Sequence, residues 1–246
     1  MTRSDSSRRR WPALLRPVLL AALISLLPLS LVACSSDAGS RTIGCATAST
    51  PCLNGTAVVS LETSRGPVQI TVDGDAAPLT AGNFVDLVRR GAYNGTAFHR
   101  VVREPVPFVV QGGDPSSADP KVPATNYGTG SFIDPASGEA RLIPLELKLR
   151  RSGELRYGEP ITAAAQSRDL QLTHQRGAVA MARSNDPNSA SAQFYVALEA
   201  LPELDGRYAV FGRVSSGMDV IDRIQQGDRI VKATVLQGGT LVKGEP

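Results

Sequence analysis

Hydrophobic residues follow two different patterns along the chain. Residues 18–32 are almost wholly apolar, whereas from residue 57 onward apolar and polar residues alternate. The alternation at Val59 and Leu61 is repeated from Val68 to Val72, after a short polar segment. Alternation with a period of two is typical of strands with one buried face, so the pattern predicts a β-hairpin.

Two segments have helical periodicity instead. The first begins at Pro78 and ends at Gly91, and the second includes Met218 and ends at Gly227. A glycine just after the last apolar position is a common helix end. A terminal strand is predicted over residues 230–236, and short strands between turns account for most of the rest. The pattern therefore predicts a mainly β fold, an antiparallel barrel that carries two helices.

The start of the chain resembles a bacterial lipoprotein signal peptide. An arginine-rich segment precedes residues 18–32, and Leu31-Val32-Ala33-Cys34 fits the lipobox, in which the cysteine is acylated and becomes the mature N-terminus. The apolar stretch is shorter than the ~20 residues of a membrane-spanning helix. We therefore expect a signal peptide over 1–33, lipid on Cys34 and a flexible tether over 34–56. Ordinary secretion, with an incidental cysteine, is the alternative.

Export also affects the interpretation of the other two cysteines. Cys45 and Cys52 enclose a short loop in a compartment that permits disulfides, so we expect them to pair. Two free thiols in a flexible linker are the alternative. No metal site is expected, because the only histidines, His99 and His174, lack cysteine or carboxylate neighbours at ligand spacing. Nothing in the sequence indicates a cofactor.

Composition and charge reduce the number of possible function classes. The 246 residues are 42% hydrophobic, which is enough for a substantial core. The net charge is +3, but five of the 26 basic residues and one acidic residue lie in the first 33 positions. Without that segment 21 basic residues stand against 22 acidic ones, which disfavours a nucleic-acid-binding protein.

Polar side chains stand beside aromatic ones in two segments. Phe98-His99-Arg100 is followed by apolar residues and then by Phe108-Val109-Val110-Gln111, and the second segment runs from Ala180 to Tyr195. These segments offer an apolar slot, a fixed cation and amide groups. The sequence contains no Gly-x-Ser-x-Gly turn, paired carboxylates or reactive cysteine. The pattern favours chemistry that makes and breaks no covalent bond.

Six blocks resemble, in order, the cyclophilin family of peptidyl-prolyl cis-trans isomerases. They are Phe98-His99-Arg100, Phe108-x-x-Gln111-Gly112-Gly113-Asp114, Gly128-Thr129-Gly130, Ala180-Met181-Ala182, Gln193-Phe194 and Leu204-Asp205-Gly206-x-x-x-Val210-Phe211-Gly212. The resemblance implies a closed eight-stranded antiparallel β barrel capped by two α-helices, over residues 57–246. It also implies an enzyme that accelerates rotation about Xaa-Pro bonds in proline-containing polypeptide clients.

The resemblance implies roles for individual residues. Arg100 looks like the catalytic arginine, whose guanidinium approaches the prolyl nitrogen, and Gln111 matches a second catalytic position. The implied substrate-binding residues are His99, Phe108, Val109, Ala182, Arg183, Gln193, Tyr195, Leu204 and Tyr208. Ala182 and Arg183 are expected to bind through their main chain. For the apolar members an ordinary core position is the alternative, and His174 is interpreted as a packing residue.

The sequence departs from the cyclophilin pattern in insertions and substitutions, and these lead to further predictions. Insertions are expected near 103–107 and over 131–171, and the charged run from Lys148 to Glu159 favours a solvated hairpin over a partner-binding loop. Val109 and Tyr195 replace commoner methionine and phenylalanine. Glu203 stands where cyclosporin-binding members often carry a tryptophan, so weak or no cyclosporin binding is expected.

These features together define the expected function. We expect a lipid-anchored monomer on the exported side of a bacterial envelope membrane, or in a thylakoid lumen if the organism is photosynthetic, that assists the folding of exported proteins. A low-activity chaperone or binding module on the same barrel is the alternative. Retention of Arg100, Phe108 and Gln111 favours the enzyme, because a scaffold has no physical need for that trio.

Overall fold

The computed structural model describes residues 44–45 and 50–242. The expected signal peptide and Cys34 lie outside the described residues. The strands are β1 (Cys52–Thr63), β2 (Gly66–Asp73), β3 (Arg100–Val102), β4 (Val109–Gly112), β5 (Glu146–Lys148), β6 (Leu155–Tyr157), β7 (Ala178–Met181), β8 (Phe194–Ala197), β9 (Val210–Ser216) and β10 (Ile230–Val242). The helices are α1 (Pro78–Arg89), α2 (Ala164–Ser167) and α3 (Met218–Arg223). Among these helices, none is both long and apolar enough to cross a membrane.

Eight strands form one antiparallel sheet in the order β10-β1-β2-β9-β7-β8-β4-β3. The predicted hairpin is confirmed, since β1 and β2 pair antiparallel up to Thr63 and Gly66. Its alternating apolar residues are fully buried, which explains why the register is fixed: a slip by one residue would expose them all. The predicted terminal strand is also confirmed and extends to Val242 as β10.

The expectation of a closed eight-stranded barrel was wrong. The described residues contain ten strands, because β5 and β6 form a separate hairpin, and the main sheet is not closed. Its edge strands β3 and β10 do not pair with each other. The chain before β3 meets the start of β10 at a bridge between Ala97 and Arg229, with backbone hydrogen bonds on either side of it. β3 has only three residues, and Arg103 beyond it donates hydrogen bonds to the carbonyls of Ile221 and Asp222. These bonds hold the chain after β3 against α3.

Helix α1 covers the core side of the sheet. The ring of Phe84 lies 5.1 Å from those of Tyr93 and Phe211 and 5.4 Å from that of Phe194, measured between centroids. Such tilted and edge-on contacts stabilise aromatic cores beyond simple area burial. The two predicted helices are α1 and α3, but the expected total of two was wrong, because the insertion adds the four-residue α2.

The first strand begins before residue 57. Cys45 and Cys52 form a disulfide. Cys52 is the first residue of β1, and Leu53 pairs with Leu241 of β10. Residues 52–56 therefore belong to the sheet, whereas the sequence placed them in the tether. Asn54 and Thr56 conceal the strand pattern there.

The 131–171 insertion is fastened to α1. The N-terminus of this helix has no side-chain cap of its own, but the backbone N–H groups of Leu79 and Thr80 donate to the two carboxylate oxygens of Glu146, at 3.0 and 2.8 Å. Arg141 donates to Asp86 of α1 at 2.6 Å. A carboxylate at a helix N-terminus satisfies orphan N–H groups and opposes the positive end of the helix dipole.

The charged run of the insertion lies on a hairpin, as the sequence favoured. β5 and β6 pair antiparallel, and Leu147 and Leu149 pack in a small core with Ile161 and Leu170. The charged side chains are at the surface, and that of Arg151 is 90% exposed. One face of the insertion is thus buried, while its mixed charges face water.

Candidate active site

Three neighbouring strands bring the predicted polar residues into one row. Arg100 of β3 pairs with Gln111 of β4, which in turn pairs with Tyr195 of β8. Residues directly opposite each other on antiparallel strands project to the same face. The Cζ atom of Arg100 lies 5.7 Å from the centroid of the Phe108 ring, so the guanidinium stands beside an aromatic wall.

A cavity of about 220 Å³ lies along this row. Its lining residues are Arg100, Phe108, Val109, Gln111, Ala182, Arg183, Tyr195, Leu204 and Tyr208. All nine were predicted as catalytic or substrate-binding residues. Val109 and Tyr195 are 2% and 4% exposed and form its buried floor. The arrangement provides a small slot with apolar walls and two arginines, Arg100 and Arg183, in its lining, and we call it the apolar pocket.

A relay of side-chain amides orients the polar edge of the pocket. Arg100 Nη1 donates to Gln111 Oε1 at 3.4 Å, and Gln111 Nε2 donates to Gln193 Oε1 at 3.3 Å. Gln193 Nε2 donates to the carbonyls of Gly128 and Gly130, at 3.0 and 2.9 Å. The first two bonds exceed the usual range of about 2.7–3.2 Å, so these groups remain available to a substrate.

Gln193 itself does not line the apolar pocket. It lines a neighbouring cavity of about 350 Å³, which shares Gln111, Ala182 and Arg183 with the pocket. The N–H of Ala182 is engaged by the carbonyl of Gln193, at 2.9 Å. Within the described part of the chain, the Ala182 carbonyl and the Arg183 N–H have no hydrogen-bond partner. These two groups are therefore free to pair with an extended peptide.

Asp114 positions the loop that receives Gln193. One of its carboxylate oxygens accepts from the backbone and hydroxyl of Ser116, and the other from the N–H groups of Gly128 and Gly130, at 2.6 and 3.1 Å. Burial raises the pKa of Asp114, but hydrogen bonds from Ser116, Gly130 and Gly128 outweigh it and hold the pKa below its ordinary value. Asp114 belongs to the motif Gln111-Gly112-Gly113-Asp114, but no role was predicted for it from the sequence.

His99 packs against the same loop. It lines neither cavity; a Cβ atom at Gly128 would lie 3.0 Å from its ring, so the imidazole packs directly against that glycine. Burial lowers the pKa of His99, because a charged imidazole loses its hydration there. His99 thus supports residues 128–130, and its role in substrate binding stays a prediction.

A buried polar chain beneath the pocket was not recognised from the sequence. Asp205 Oδ1 accepts from the backbone N–H and from Nδ1 of His174, each at 2.8 Å. Because Nδ1 carries the proton, Nε2 accepts from the hydroxyl of Tyr195, at 2.8 Å. Burial raises the pKa of Tyr195, so the hydroxyl stays protonated. His174 is buried, as predicted, but it also fixes the tyrosine ring.

The geometry suits binding and electrostatics more than bond cleavage. The pocket offers apolar walls, oriented amides and the guanidinium groups of Arg100 and Arg183. The described residues of its lining include no serine, cysteine, histidine or carboxylate. In the part of the chain that the structure describes, no three His, Cys, Asp or Glu side chains are grouped to hold a metal ion.

Comparison with known proteins decides the family. The sequence model of the cyclophilin type peptidyl-prolyl cis-trans isomerase/CLD family matches residues 58–244. The chain belongs to the cyclophilin family. A relative in Synechocystis, named as a thylakoid lumen peptidyl-prolyl cis-trans isomerase, is 38% identical over 208 residues, covering 80% of this chain and 52% of the relative. A Brucella abortus isomerase is 35% identical over 190 residues, covering 72% of this chain and 81% of the relative.

Solved cyclophilins share the fold. The Hirschia baltica cyclophilin AquaCyp293 has a TM-score of 0.51 at 24% identity, covering 75% of this chain and 76% of that one. A Cryptosporidium parvum cyclophilin, crystallised in the presence of the dipeptide Ala-Pro, has a TM-score of 0.53 at 21% identity, covering 74% and 99%. The present cyclophilin spans about half the length of its Synechocystis relative and 28% of a Cryptococcus neoformans one.

Proposed function

We propose that this cyclophilin catalyses cis-trans isomerisation of Xaa-Pro bonds in polypeptides. The observation that carries the proposal is the apolar pocket itself, where Arg100 stands beside Phe108 with Gln111 directly opposite. A proline ring fits an apolar slot of this size. The open main-chain groups of Ala182 and Arg183 hold the residue before the proline as an extended strand.

Arg100 lowers the rotation barrier by acting on the prolyl nitrogen. The barrier of ~18–20 kcal/mol arises from resonance between the nitrogen lone pair and the carbonyl. A guanidinium N–H that hydrogen-bonds the nitrogen localises the lone pair, and the bond then rotates more freely. Acceleration by five decades needs about 7 kcal/mol, at 1.36 kcal/mol per tenfold.

Arg100 cannot supply all of this energy. A hydrogen bond from a charged group contributes about 1.5–3 kcal/mol. The buried floor formed by Val109 and Tyr195 and the oriented amide of Gln111 supply the remainder, because they hold the proline in place and exclude water around the rotating bond.

The test is cis-trans exchange of an Ala-Pro-Phe peptide, measured by NMR with wild type, Arg100→Ala and Arg100→Lys. We expect exchange well above the uncatalysed rate in wild type, near background in Arg100→Ala and intermediate in Arg100→Lys, because lysine keeps the charge but loses the planar fork. Equal exchange in wild type and Arg100→Ala would refute the role of Arg100. If wild type binds the peptide without accelerating exchange, the domain acts as a binding module.

We also propose that the protein is exported and anchored by lipid on Cys34, with exported polypeptides as its clients. Support comes from the lipobox pattern at 31–34 and from the named lumenal location of the Synechocystis relative. Mass spectrometry of the membrane-extracted protein is expected to show a diacylglyceryl-modified N-terminal cysteine. A Cys34→Ala variant is expected to leave the membrane fraction, and an unmodified wild-type chain would refute the anchor.

A further inference from the structure

Arg183 occupies the border between the apolar pocket and the neighbouring cavity. It lines both, and its Cζ atom lies 4.8 Å from the centroid of the Tyr208 ring. Stacking on an aromatic face holds a guanidinium in one orientation. A fixed cation therefore stands where a peptide passes from one cavity to the other.

The hydrogen bonds of Arg183 hold it without neutralising it. Nε and Nη2 donate to the carbonyl of Arg207, at 2.9 and 2.6 Å, and Nη1 donates to the carbonyls of Ser184 and Asn185, at 2.8 and 3.3 Å. All these partners are neutral, so the full positive charge remains. An arginine is always protonated in a protein.

No aspartate or glutamate is among the described residues that line either cavity. Of those lining residues, only Arg100 and Arg183 are charged. Within the described residues neither arginine forms a salt bridge. Glu203, one residue before Leu204 of the pocket wall, is exposed and lines neither cavity. The site thus presents two unpaired cations to the substrate.

We propose that Arg183 selects substrates with an aspartate or glutamate immediately before the proline. The inference rests on the proposed isomerase function and specifies its substrate class. The residue before the proline pairs with the main chain of Ala182 and Arg183, so its side chain lies within reach of the Arg183 guanidinium. Opposite charge at that position strengthens binding, and like charge weakens it.

The experiment compares acetyl-Ala-Xaa-Pro-Phe-amide peptides with Xaa as Glu, Gln or Lys, using the full chain. Exchange by NMR gives kcat/KM, and shift titration of the same samples gives Kd. We expect Glu to exceed Gln, and Gln to exceed Lys, by about two- to fivefold each, the effect of one partly screened charge pair. Raising the salt concentration should reduce both ratios.

Three variants separate charge from structure. Arg183→Gln should bring the Glu-to-Gln ratio close to one, whereas Arg183→Lys should retain the order because the charge remains. Arg213→Gln, which removes an exposed arginine of β9, should leave the order unchanged. A purely structural role would predict equal losses in Arg183→Lys and Arg183→Gln.

Equal kcat/KM for the three wild-type peptides, or an order insensitive to Arg183→Gln, would overturn the proposal. If no peptide is turned over, the Kd values test the role of Arg183. The order Glu, Gln, Lys in affinity without turnover would refute the isomerase function but support the role of Arg183, and equal Kd values would refute the role of Arg183.

Discussion

The carboxylate of Asp114 holds the 128–130 loop from outside the pocket, and the variant Asp114→Asn tests this role. Asp114 is fully buried, and one of its oxygens accepts from the N–H groups of both Gly128 and Gly130. In the variant, an amide NH₂ replaces an oxygen. If the remaining oxygen keeps the bonds from Ser116, the new NH₂ group faces the backbone N–H groups of Gly128 and Gly130. Those two N–H groups then lose their acceptor.

The expected cost follows from those two bonds. Leaving a buried donor unsatisfied costs ~1–3 kcal/mol, and because Gly128 and Gly130 are only partly buried, the sum for the two N–H groups is near the lower limit, at about 2 kcal/mol. For a domain of 150–250 residues, each kcal/mol corresponds to ~2–4 °C of Tm, so Tm should fall by about 4–8 °C. The carbonyls of Gly128 and Gly130 also accept hydrogen bonds from Gln193. The variant should therefore show a higher KM for peptide as well as a lower Tm.

Asp119→Asn is the matched control for this variant. Asp119 follows in the same segment, but it is exposed, and its oxygen accepts only from the N–H of Lys121, at 2.8 Å. An asparagine oxygen can replace that acceptor. Thermal and denaturant unfolding, followed by circular dichroism, should show little change in Asp119→Asn. Equal Tm values for the two variants would refute the structural role assigned to Asp114.

The pH dependence provides an independent check of the same reasoning. The pKa of Asp114 is lower in the folded state than in the unfolded chain, so its contribution is complete above the ordinary aspartate pKa and is lost as pH falls through the folded value. The stability difference between wild type and Asp114→Asn should therefore be constant near neutral pH and shrink below about pH 4. A difference that grows on acidification would contradict the assignment.

Three further predictions concern other parts of the molecule. Tyr195→Phe leaves Nε2 of buried His174 without its donor, so the free energy of unfolding in urea should fall by about 1–3 kcal/mol; no change would refute the buried chain. Glu146→Ala leaves two backbone N–H groups at the start of α1 unpaired and should cost about 3 kcal/mol in the same assay, whereas Glu154→Ala on the exposed part of the hairpin should cost under about 1. Wild type should bind cyclosporin weakly and Glu203→Trp more tightly in a fluorescence titration; tight binding by wild type would contradict the reasoning from Glu203.

Local patterns in the sequence predicted those elements that depend on neighbouring residues. The alternation from Val59 to Val72 specifies a hairpin because period-two burial is a property of each strand alone. The pocket was also predictable, since the resemblance identified its nine lining residues by motif. Their side chains converge because β3, β4 and β8 are neighbours in the sheet.

Contacts between residues that are far apart in sequence could not be predicted from local patterns. Closure of the sheet depends on whether β3 and β10, which are far apart in sequence, pair side by side, and they form the two edges of the sheet instead. Arg103, just after β3, donates to carbonyls of α3. The cap on α1 comes from Glu146, which lies more than sixty positions away in sequence. Likewise the Tyr195 hydroxyl finds its partner in His174, a residue whose motif indicated only packing. Sequence spacing carries no signal for such contacts.

The 131–171 insertion contributes to the cavity beside the apolar pocket but not to the apolar pocket itself. Ser131 and Leu142 contribute to the wall of the cavity beside the apolar pocket, but none of the described residues between 131 and 171 lines the pocket itself. The pocket comes from the sheet and from the 201–208 segment, whereas the neighbouring wall is held through the fastening of Arg141 and Glu146 to α1. Sequence changes in the insertion can therefore alter which residues flank the proline without altering the groups that act on the prolyl bond.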